Sequence, residues 1–170
     1  MVDGAIELRD TLRYCALPTS VAIPELMMGI REAYQAVDGY LGRLGLEDRG
    51  PAIVRYRRVS EAGPLHLEVG WVMPDLTHAD PPYVAGELPP GTYVVGWHNG
   101  PYARIGEFTR ELIAWGDEQG VQWDEAREGP QQRWTSWYEL YLSEPSFGPE
   151  GPVGSVEVAL LLRGTDLRDR

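Results

Sequence analysis

The stretch WTSWYELYLS at residues 134–143 decides the fold, because one acid, Glu139, stands in it among aromatic and aliphatic neighbours. Such enrichment favours a β-strand. Side chains alternate between the two faces of a strand, so one face is expected to hold Trp137, Glu139 and Tyr141. The opposite face then takes the other large side chains: Trp134, Tyr138, Leu140 and Leu142.

The predicted strand places the Glu139 carboxylate between two aromatic rings. An ionised carboxylate buried without a partner costs several kcal/mol, so the chain is expected to supply water, a paired cation or a ligand. We take a ligand as the working hypothesis. The alternative is an edge strand with one solvated face, on which Glu139 simply points outward, since Glu is seldom fully buried.

The composition limits the classes of partner. The chain has 170 residues, the size of one domain, and a formal net charge of -11. Such a charge predicts repulsion from nucleic acid and from anionic lipid, so we expect no nucleic-acid partner for this chain alone and no membrane association. No secretory signal and no apolar run of membrane-spanning length occurs in the sequence, which predicts a cytoplasmic protein.

The first half of the chain predicts a strand, a loop, a helix and a two-stranded hairpin. Apolar residues recur at steps of three and four after Pro24, which is the spacing of an amphipathic helix. Proline at this position suits the first turn of that helix. The alternating pattern on either side of the turn at 61–64 predicts the hairpin. In order, these elements cover residues 6–17, 18–21, 24–44, 52–59 and 65–73.

The second half repeats this order after a proline-rich connection at 75–83. Asn99, Gly100 and Pro101 open its helix, and Gly120 closes it. A polar, irregular segment is expected at 121–133. The predicted strands cover residues 83–88, 92–98, 134–143 and 155–163, with a turn at 145–154.

The recurrent order indicates an internal duplication. Pro24 and Pro101 stand in the same place, and HLEVGWVM (66–73) resembles SVEVALLL (155–162) step for step. Glu68 and Glu157 therefore match, which predicts a recurrent outward-facing residue.

The duplication predicts the fold. We expect one α+β domain over residues 1–170, made of two pseudo-repeats at about 4–75 and 83–163. Its duplicated β-α-β-β halves would form one antiparallel sheet with two helices on one face and a central cleft between them.

Three pieces of the second half resemble a known family. They are LPPGTYVVGWHNGPYARIGEFTRELIAW (88–115), WYELYLSEP (137–145) and the closing strand VEVALLLR (156–163). Together they look like the GyrI-like small-molecule-binding domain, which also forms the effector-binding domain of multidrug-sensing MerR-type and AraC-type bacterial transcription regulators. The first half matches only loosely. No helix-turn-helix segment stands ahead of the domain, so we expect a stand-alone member.

The resemblance implies a central pocket for varied lipophilic, often cationic compounds. An acid matching Glu139 would meet the positive charge, and aromatic residues matching Trp137 and Tyr141 would stack on the ligand. Further candidate walls come from the helices and strands around the cleft, and for each of them plain core packing is the alternative. These residues are Met28, Tyr56, Trp71, Trp97 and Tyr102.

Three functions follow as hypotheses. The first is multidrug binding, that is, polyspecific binding of lipophilic or cationic small molecules by a ligand-binding protein. The second is a hydrolase that opens cyclopropane-bearing toxic natural products, with Glu139 as general acid or base and the hydroxyl of Tyr141 or Tyr102 as donor. The third is an acidic accessory protein that binds a macromolecular partner such as gyrase.

No cofactor or metal is expected from the sequence. The three histidines, His66, His78 and His98, lack a paired-ligand spacing, and no phosphate-cradling glycine pattern occurs. The oligomeric state stays open.

Overall fold

The architecture is one twisted sheet carrying two helices, seen in a computed structural model that describes residues 2–164. The helices are α1 (Leu26–Arg43) and α2 (Ile105–Glu118), and each follows a single 3-10 turn, Ile23–Glu25 and Tyr102–Arg104 respectively. The strands of the first half and its flanks are β1 (Ala5–Arg9), β2 (Leu12–Val21), β3 (Ala52–Val59), β4 (Leu65–Val72) and β5 (Val84–Leu88). The later strands are β6 (Gly91–Pro101), β7 (Glu125–Glu128), β8 (Gln131–Trp134), β9 (Trp137–Tyr141), β10 (Ser146–Gly148) and β11 (Gly151–Leu161).

The sheet confirms the predicted duplication. Its main strand order is β1-β6-β11-β9-β3-β4-β2-β5, and neighbouring strands run antiparallel. One half is β2-α1-β3-β4, the other is β6-α2-β9-β11, and they meet where β3 pairs with β9. The short strands β1 and β5 are exchanged, since each pairs with the edge of the other half. The fold is α+β, as the sequence predicts.

Both helices lie on the same face of the sheet. Helix α1 buries Ala33, Val37 and Leu41 against β2 and β4, and α2 packs on β6. Gly96 on β6 makes that second approach close, because a Cβ there would lie 2.9 Å from side-chain atoms of Leu112 on α2. The apolar clusters under the two helices share side chains of β9, so the centre of the sheet lies between the helices.

The face away from the helices is also buried, and this corrects one expectation. Glu157 is only 9% exposed; it accepts hydrogen bonds from Arg9 and, at 3.0 Å, from Nε1 of Trp97. The matching Glu68 accepts a hydrogen bond from Tyr14. The two acids do recur on one face, but the prediction that they point into solvent was wrong for Glu157, because the edge strand β1 brings Arg9 over it.

The stretch at 134–143 is interrupted, which the alternating pattern did not indicate. Thr135 bonds to Asp124 through its backbone nitrogen at 3.1 Å and through its hydroxyl at 2.7 Å, and Ser136 accepts a hydrogen bond from Tyr93 at 2.9 Å. These contacts end β8 at Trp134 and restart the chain as β9. The predicted placement of Trp134 opposite Trp137 was therefore wrong.

Further boundaries also differ from the prediction. Asn99, Gly100 and Pro101 pair with β11 as the end of β6 instead of opening the second helix, and the predicted turn at 145–154 contains β10 and the start of β11. The first strand breaks between β1 and β2, the predicted loop at 18–21 continues β2, and the segment at 121–133 contains the hairpin β7–β8. Neither helix within residues 2–164 has the length and apolar character needed to cross a bilayer.

Candidate functional site

Glu139 lies at the middle of the sheet, on the helix-bearing face. It sits on β9 between Val54 of β3 and Val158 of β11, and it is 2% exposed. The Tyr141 hydroxyl donates a hydrogen bond to its Oε1 atom at 2.8 Å, and the Tyr56 hydroxyl donates to the same oxygen at 3.1 Å. The solvated edge-strand alternative is thereby excluded, because β9 is a central strand.

The charge of Glu139 has no counterpart among residues 2–164, where no arginine or histidine forms an ion pair with it. Burial raises the pKa of Glu139 to about 7, and the hydrogen bonds from Tyr141 and Tyr56 oppose that rise. A carboxyl group with such a pKa exchanges its proton near neutral pH. The group is therefore poised between a neutral and an anionic form.

The two tyrosines that bond to Glu139 remain donors. Burial, followed by the nearby Glu139 charge, raises the pKa of Tyr56 and of Tyr141 well above the ordinary value. Both hydroxyls therefore keep their protons throughout the physiological pH range. They can stabilise the carboxylate but cannot neutralise it.

Aromatic rings surround this carboxyl group. Trp137 stacks on Tyr56 with ring centroids 4.2 Å apart and planes 17° from parallel. Tyr102 lies edge-on to Tyr141 at 5.3 Å. Each ring that bonds to Glu139 is thus covered by one further ring, and we call Glu139 with these four residues the central cluster.

Tyr34 is a neighbour of the central cluster that the site prediction missed. It projects from α1, and its hydroxyl donates to the carbonyl oxygen of Ile53 at 3.3 Å. Burial and then the Glu139 charge raise the pKa of Tyr34 well above its ordinary value. The sequence places Tyr34 on the apolar stripe of the helix. Its hydroxyl group was the signal that this position contacts polar groups as well as the apolar core.

Three buried donors near the cluster have no hydrogen-bond partner within residues 2–164. They are the indole Nε1 atoms of Trp134 and Trp137 and the hydroxyl of Tyr102. The indoles of Trp134 and Trp137 meet edge-on at 5.6 Å, so their unpaired nitrogens belong to one aromatic group. A buried donor left unpaired costs roughly 1–3 kcal/mol.

The remaining candidate residues lie outside the central cluster. Trp71 packs under α1, with its ring centroid 5.1 Å from that of Tyr34 and 5.0 Å from the Arg49 guanidinium. The Tyr34 ring therefore separates Trp71 from the central cluster. Trp97 lies on the opposite face, where its nitrogen bonds to Glu157, because strand alternation directs it away from the helices. Met28 is 66% exposed on the outer side of α1.

Two cavities of the structure lie away from Glu139. One, of about 300 Å³, lies between β2 and the start of α1, and Met28, Glu25 and Glu32 are among its lining residues. The other, of about 290 Å³, lies beside Trp115 on α2. Glu139 itself is 2% exposed, and the aromatic rings of the central cluster pack around it.

The donor set of the cluster does not suit a metal. Within residues 2–164, no three histidine, cysteine or acidic side chains come together as metal ligands. Glu139 is the one acid among aromatic rings, and hard cations require several oxygen ligands. The chemistry available here is that of a single carboxyl group, hydroxyl and indole donors and π faces.

Comparison with known proteins finds solved structures with the same fold but no match by sequence. No protein-family model and no curated protein sequence matches the chain. The crystal structure of the EcmrR C-terminal domain matches with a TM-score of 0.69 and 10% identity, over 97% of this chain and 99% of that one. These chains share one fold.

Two further solved structures match over similar lengths. SAV2435 bound to tetraphenylphosphonium matches with a TM-score of 0.58 and 11% identity, over 95% of this chain and 94% of that one. A hydrolase from Listeria innocua matches with a TM-score of 0.57 and 14% identity, over 95% and 92% of the two chains. At such identities the likeness establishes the fold alone.

Proposed function

We propose that this protein belongs to the GyrI-like family and binds lipophilic, often cationic small molecules in the cleft between α1 and α2, with broad specificity. Glu139 is the counter-charge, and Trp137, Tyr56, Tyr141 and Tyr102 are the walls. The match to a chain bound to tetraphenylphosphonium supports a lipophilic cation as a fitting first probe. We place this activity in the cytoplasm, without nucleic acid as a partner.

The observation that carries the proposal is the uncompensated burial of Glu139. Glu139 is 2% exposed, and its carboxyl group bonds only to tyrosine hydroxyls among the described side chains. Ordinary core packing would favour an apolar residue here, as Val54 shows at the opposing position. An entering cation supplies the missing charge.

Electrostatic attraction and cation–π contact can together contribute several kcal/mol to binding of a cation at Glu139. A unit charge about 4 Å from the carboxylate, at an effective dielectric constant near 20, gains about 4 kcal/mol before desolvation is subtracted. Contact of the cation with a Trp or Tyr face adds about 0.5–2 kcal/mol. Neither contribution demands one ligand shape, which is the physical basis of broad specificity, and buried apolar area supplies the remainder.

Binding requires the central cluster to open. The stacked pair of Trp137 and Tyr56 and the edge-on pair of Tyr102 and Tyr141 occupy the space that a ligand needs. The flat aryl groups of a lipophilic cation would replace one ring in each pair by their own π faces. Because the ligand then stacks where the displaced ring had stacked, its contacts offset part of the cost of opening.

Titration with tetraphenylphosphonium tests this function. Tryptophan fluorescence should be quenched on binding, since Trp137 lines the cleft. Glu139→Gln keeps the shape of the site and both tyrosine hydrogen bonds but removes the charge. It should weaken tetraphenylphosphonium binding at pH 8 by roughly tenfold or more, and binding of neutral triphenylphosphine oxide by less than about twofold. Equal loss for the two compounds, or none, would refute the proposal.

Hydrolysis of cyclopropane-bearing compounds is the second candidate, favoured by the pKa of about 7 at Glu139. A carboxyl group poised near neutrality serves well as a general base or acid. Glu139 would take a proton from water as the water oxygen attacks a ring carbon; the breaking C–C bond keeps its electrons on the substrate, which then takes up the proton. Tyr141 would donate a hydrogen bond.

Turnover distinguishes the two candidates. Catalytic amounts of protein should consume a cyclopropane-bearing alkylating compound in molar excess, and Glu139→Gln should abolish that consumption. Stoichiometric binding without any product would leave binding as the function.

A further inference from the structure

The unpaired donors around the central cluster give information about the ligand beyond its charge. Trp137 Nε1 and Trp134 Nε1 are buried and have no partner within residues 2–164. An indole nitrogen donates only, so what it lacks is an acceptor. Trp137 covers Tyr56, which itself bonds to Glu139, so this donor lies one ring away from the carboxyl group.

The Tyr102 hydroxyl is a second unpaired group of the central cluster. Its ring lies against Tyr141, and its oxygen is buried without a partner among the described residues. The hydroxyl fits over Gly154 of β11, where a Cβ would lie 2.8 Å from the tyrosine oxygen. The glycine thus leaves room for a polar group that contributes no hydrogen bond to the described part of the folded chain.

We infer that the compounds bound at Glu139 carry, besides a cationic centre, a hydrogen-bond acceptor such as an ether or carbonyl oxygen, and that Trp137 Nε1 and the Tyr102 hydroxyl recognise it. The inference rests on the proposed function and narrows its ligand class. Lipophilic cations without an acceptor bind but leave both donors unpaired. Acceptor-bearing cations bind more tightly because they relieve that cost.

A matched pair of ligands tests the inference. The (2-methoxyethyl)triphenylphosphonium and butyltriphenylphosphonium cations share charge and length and differ by an ether oxygen in place of a methylene group. In the wild-type protein the ether compound should bind about fivefold more tightly, the worth of one hydrogen bond. The ratio of the two dissociation constants, measured by equilibrium dialysis so that loss of Trp137 does not remove the signal, is the readout.

Variants locate the effect. Tyr102→Phe removes only the hydroxyl, and Trp137→Phe removes the indole nitrogen; each should reduce the preference for the ether compound, and the double variant should abolish it. Trp97→Phe is the control, because it removes the same indole nitrogen on the opposite face of the sheet, where that nitrogen bonds to Glu157, and it should keep the wild-type ratio. A general effect of a substitution on packing changes both dissociation constants equally and therefore leaves their ratio unchanged.

Two failures are distinguishable. If both cations bind in a Glu139-dependent manner with equal affinity, or with the same ratio in all variants, the acceptor inference is overturned and the proposed function stands. If neither cation binds, the proposed function fails and the inference fails with it.

Discussion

Glu139 faces Val54 across the two central strands of the sheet, at the point where the two halves of the chain meet. The halves match around this pair, since Val54 is paired with Val69 on β4 and Glu139 with Val158 on β11. Tyr56 and Tyr141 hold corresponding positions two residues further along and converge on one carboxylate oxygen. Val54 and Glu139 thus stand at corresponding positions of the two halves, and only the second of these positions carries a charge.

The stability of the protein should depend on pH through Glu139. The pKa of Glu139 in the folded protein is about 7, above that of an exposed Glu. The folded state therefore holds a proton that the unfolded state releases, and the free energy of unfolding falls as pH rises through this window, by about 3 kcal/mol in total. Glu139→Gln lacks this titration, so its stability relative to wild type should rise between pH 5 and pH 8. Urea unfolding at both pH values measures the difference; a constant difference contradicts the assignment.

Removal of the Tyr141 hydroxyl should shift the titration of Glu139. The hydrogen bond from Tyr141 lowers the pKa of the carboxyl group, so Tyr141→Phe should raise that pKa further above 7. Tyr56→Phe should act in the same direction but less, since its hydrogen bond is longer, 3.1 Å against 2.8 Å. The midpoint of tetraphenylphosphonium affinity against pH reports the shift. A midpoint unchanged in both variants would show that the hydroxyls do not bond to the carboxylate.

The two faces of the sheet should respond differently to loss of tryptophan. Trp137→Ala removes a wall of the central cluster and should weaken binding of aromatic cations by roughly tenfold, the worth of one stacking contact with its apolar area. Trp97→Ala removes an equal ring from the opposite face and should leave that affinity within about twofold of wild type. Fluorescence-independent measurement, such as equilibrium dialysis, avoids loss of signal from the altered tryptophans. Equal effects of the two variants would contradict the placement of the site.

The sheet of the first half should be sensitive to a methyl group at Gly70. A Cβ at this position would lie 1.8 Å from the backbone oxygen of Cys15, so β4 would have to separate from β2. Gly70→Ala should therefore lower the free energy of unfolding by about 3 kcal/mol or more. Gly42→Ala, at an open position of α1, serves as the control and should raise it by up to about 1 kcal/mol. Thermal or urea unfolding compares the two; a tolerated Gly70→Ala would argue against this strand pairing.

Much of the fold could be predicted because its signals are local. The helix from Pro24 follows from apolar spacing, and composition and alternation predict the strand at 52–59 and one at 134–143, of which residues 137–141 form β9. The repeat then determined the sheet, since two halves with one helix each bury their apolar faces best side by side. Alternation alone left open whether Glu139 is solvated, and the central position of β9 in the sheet shows that it is buried.

The residues that were misplaced depend on contacts between distant parts of the chain. Trp134 and Trp137 lie on the same side of the sheet because the strand is interrupted between them, where Thr135 bonds to Asp124. No alternating pattern reveals that contact. Trp97 alternates away from the helices, and its relation to Glu157 depends on the register of β6 with β11. Met28 is 66% exposed on the outer side of α1, away from the stripe that buries Ala33, Val37 and Leu41.

Proton release on ligand binding tests the central claim most directly. If a cation binds beside Glu139, it must meet the ionised carboxylate, so at about pH 6, one unit below the pKa, binding should release close to one proton per ligand. Titration calorimetry of tetraphenylphosphonium in buffers of different ionisation enthalpy gives that number. We expect close to one proton for the wild type at pH 6, almost none at about pH 8.5, and none for Glu139→Gln at either pH. Binding with no proton release at pH 6, or with equal release by Glu139→Gln, would contradict the role of Glu139 as the counter-charge.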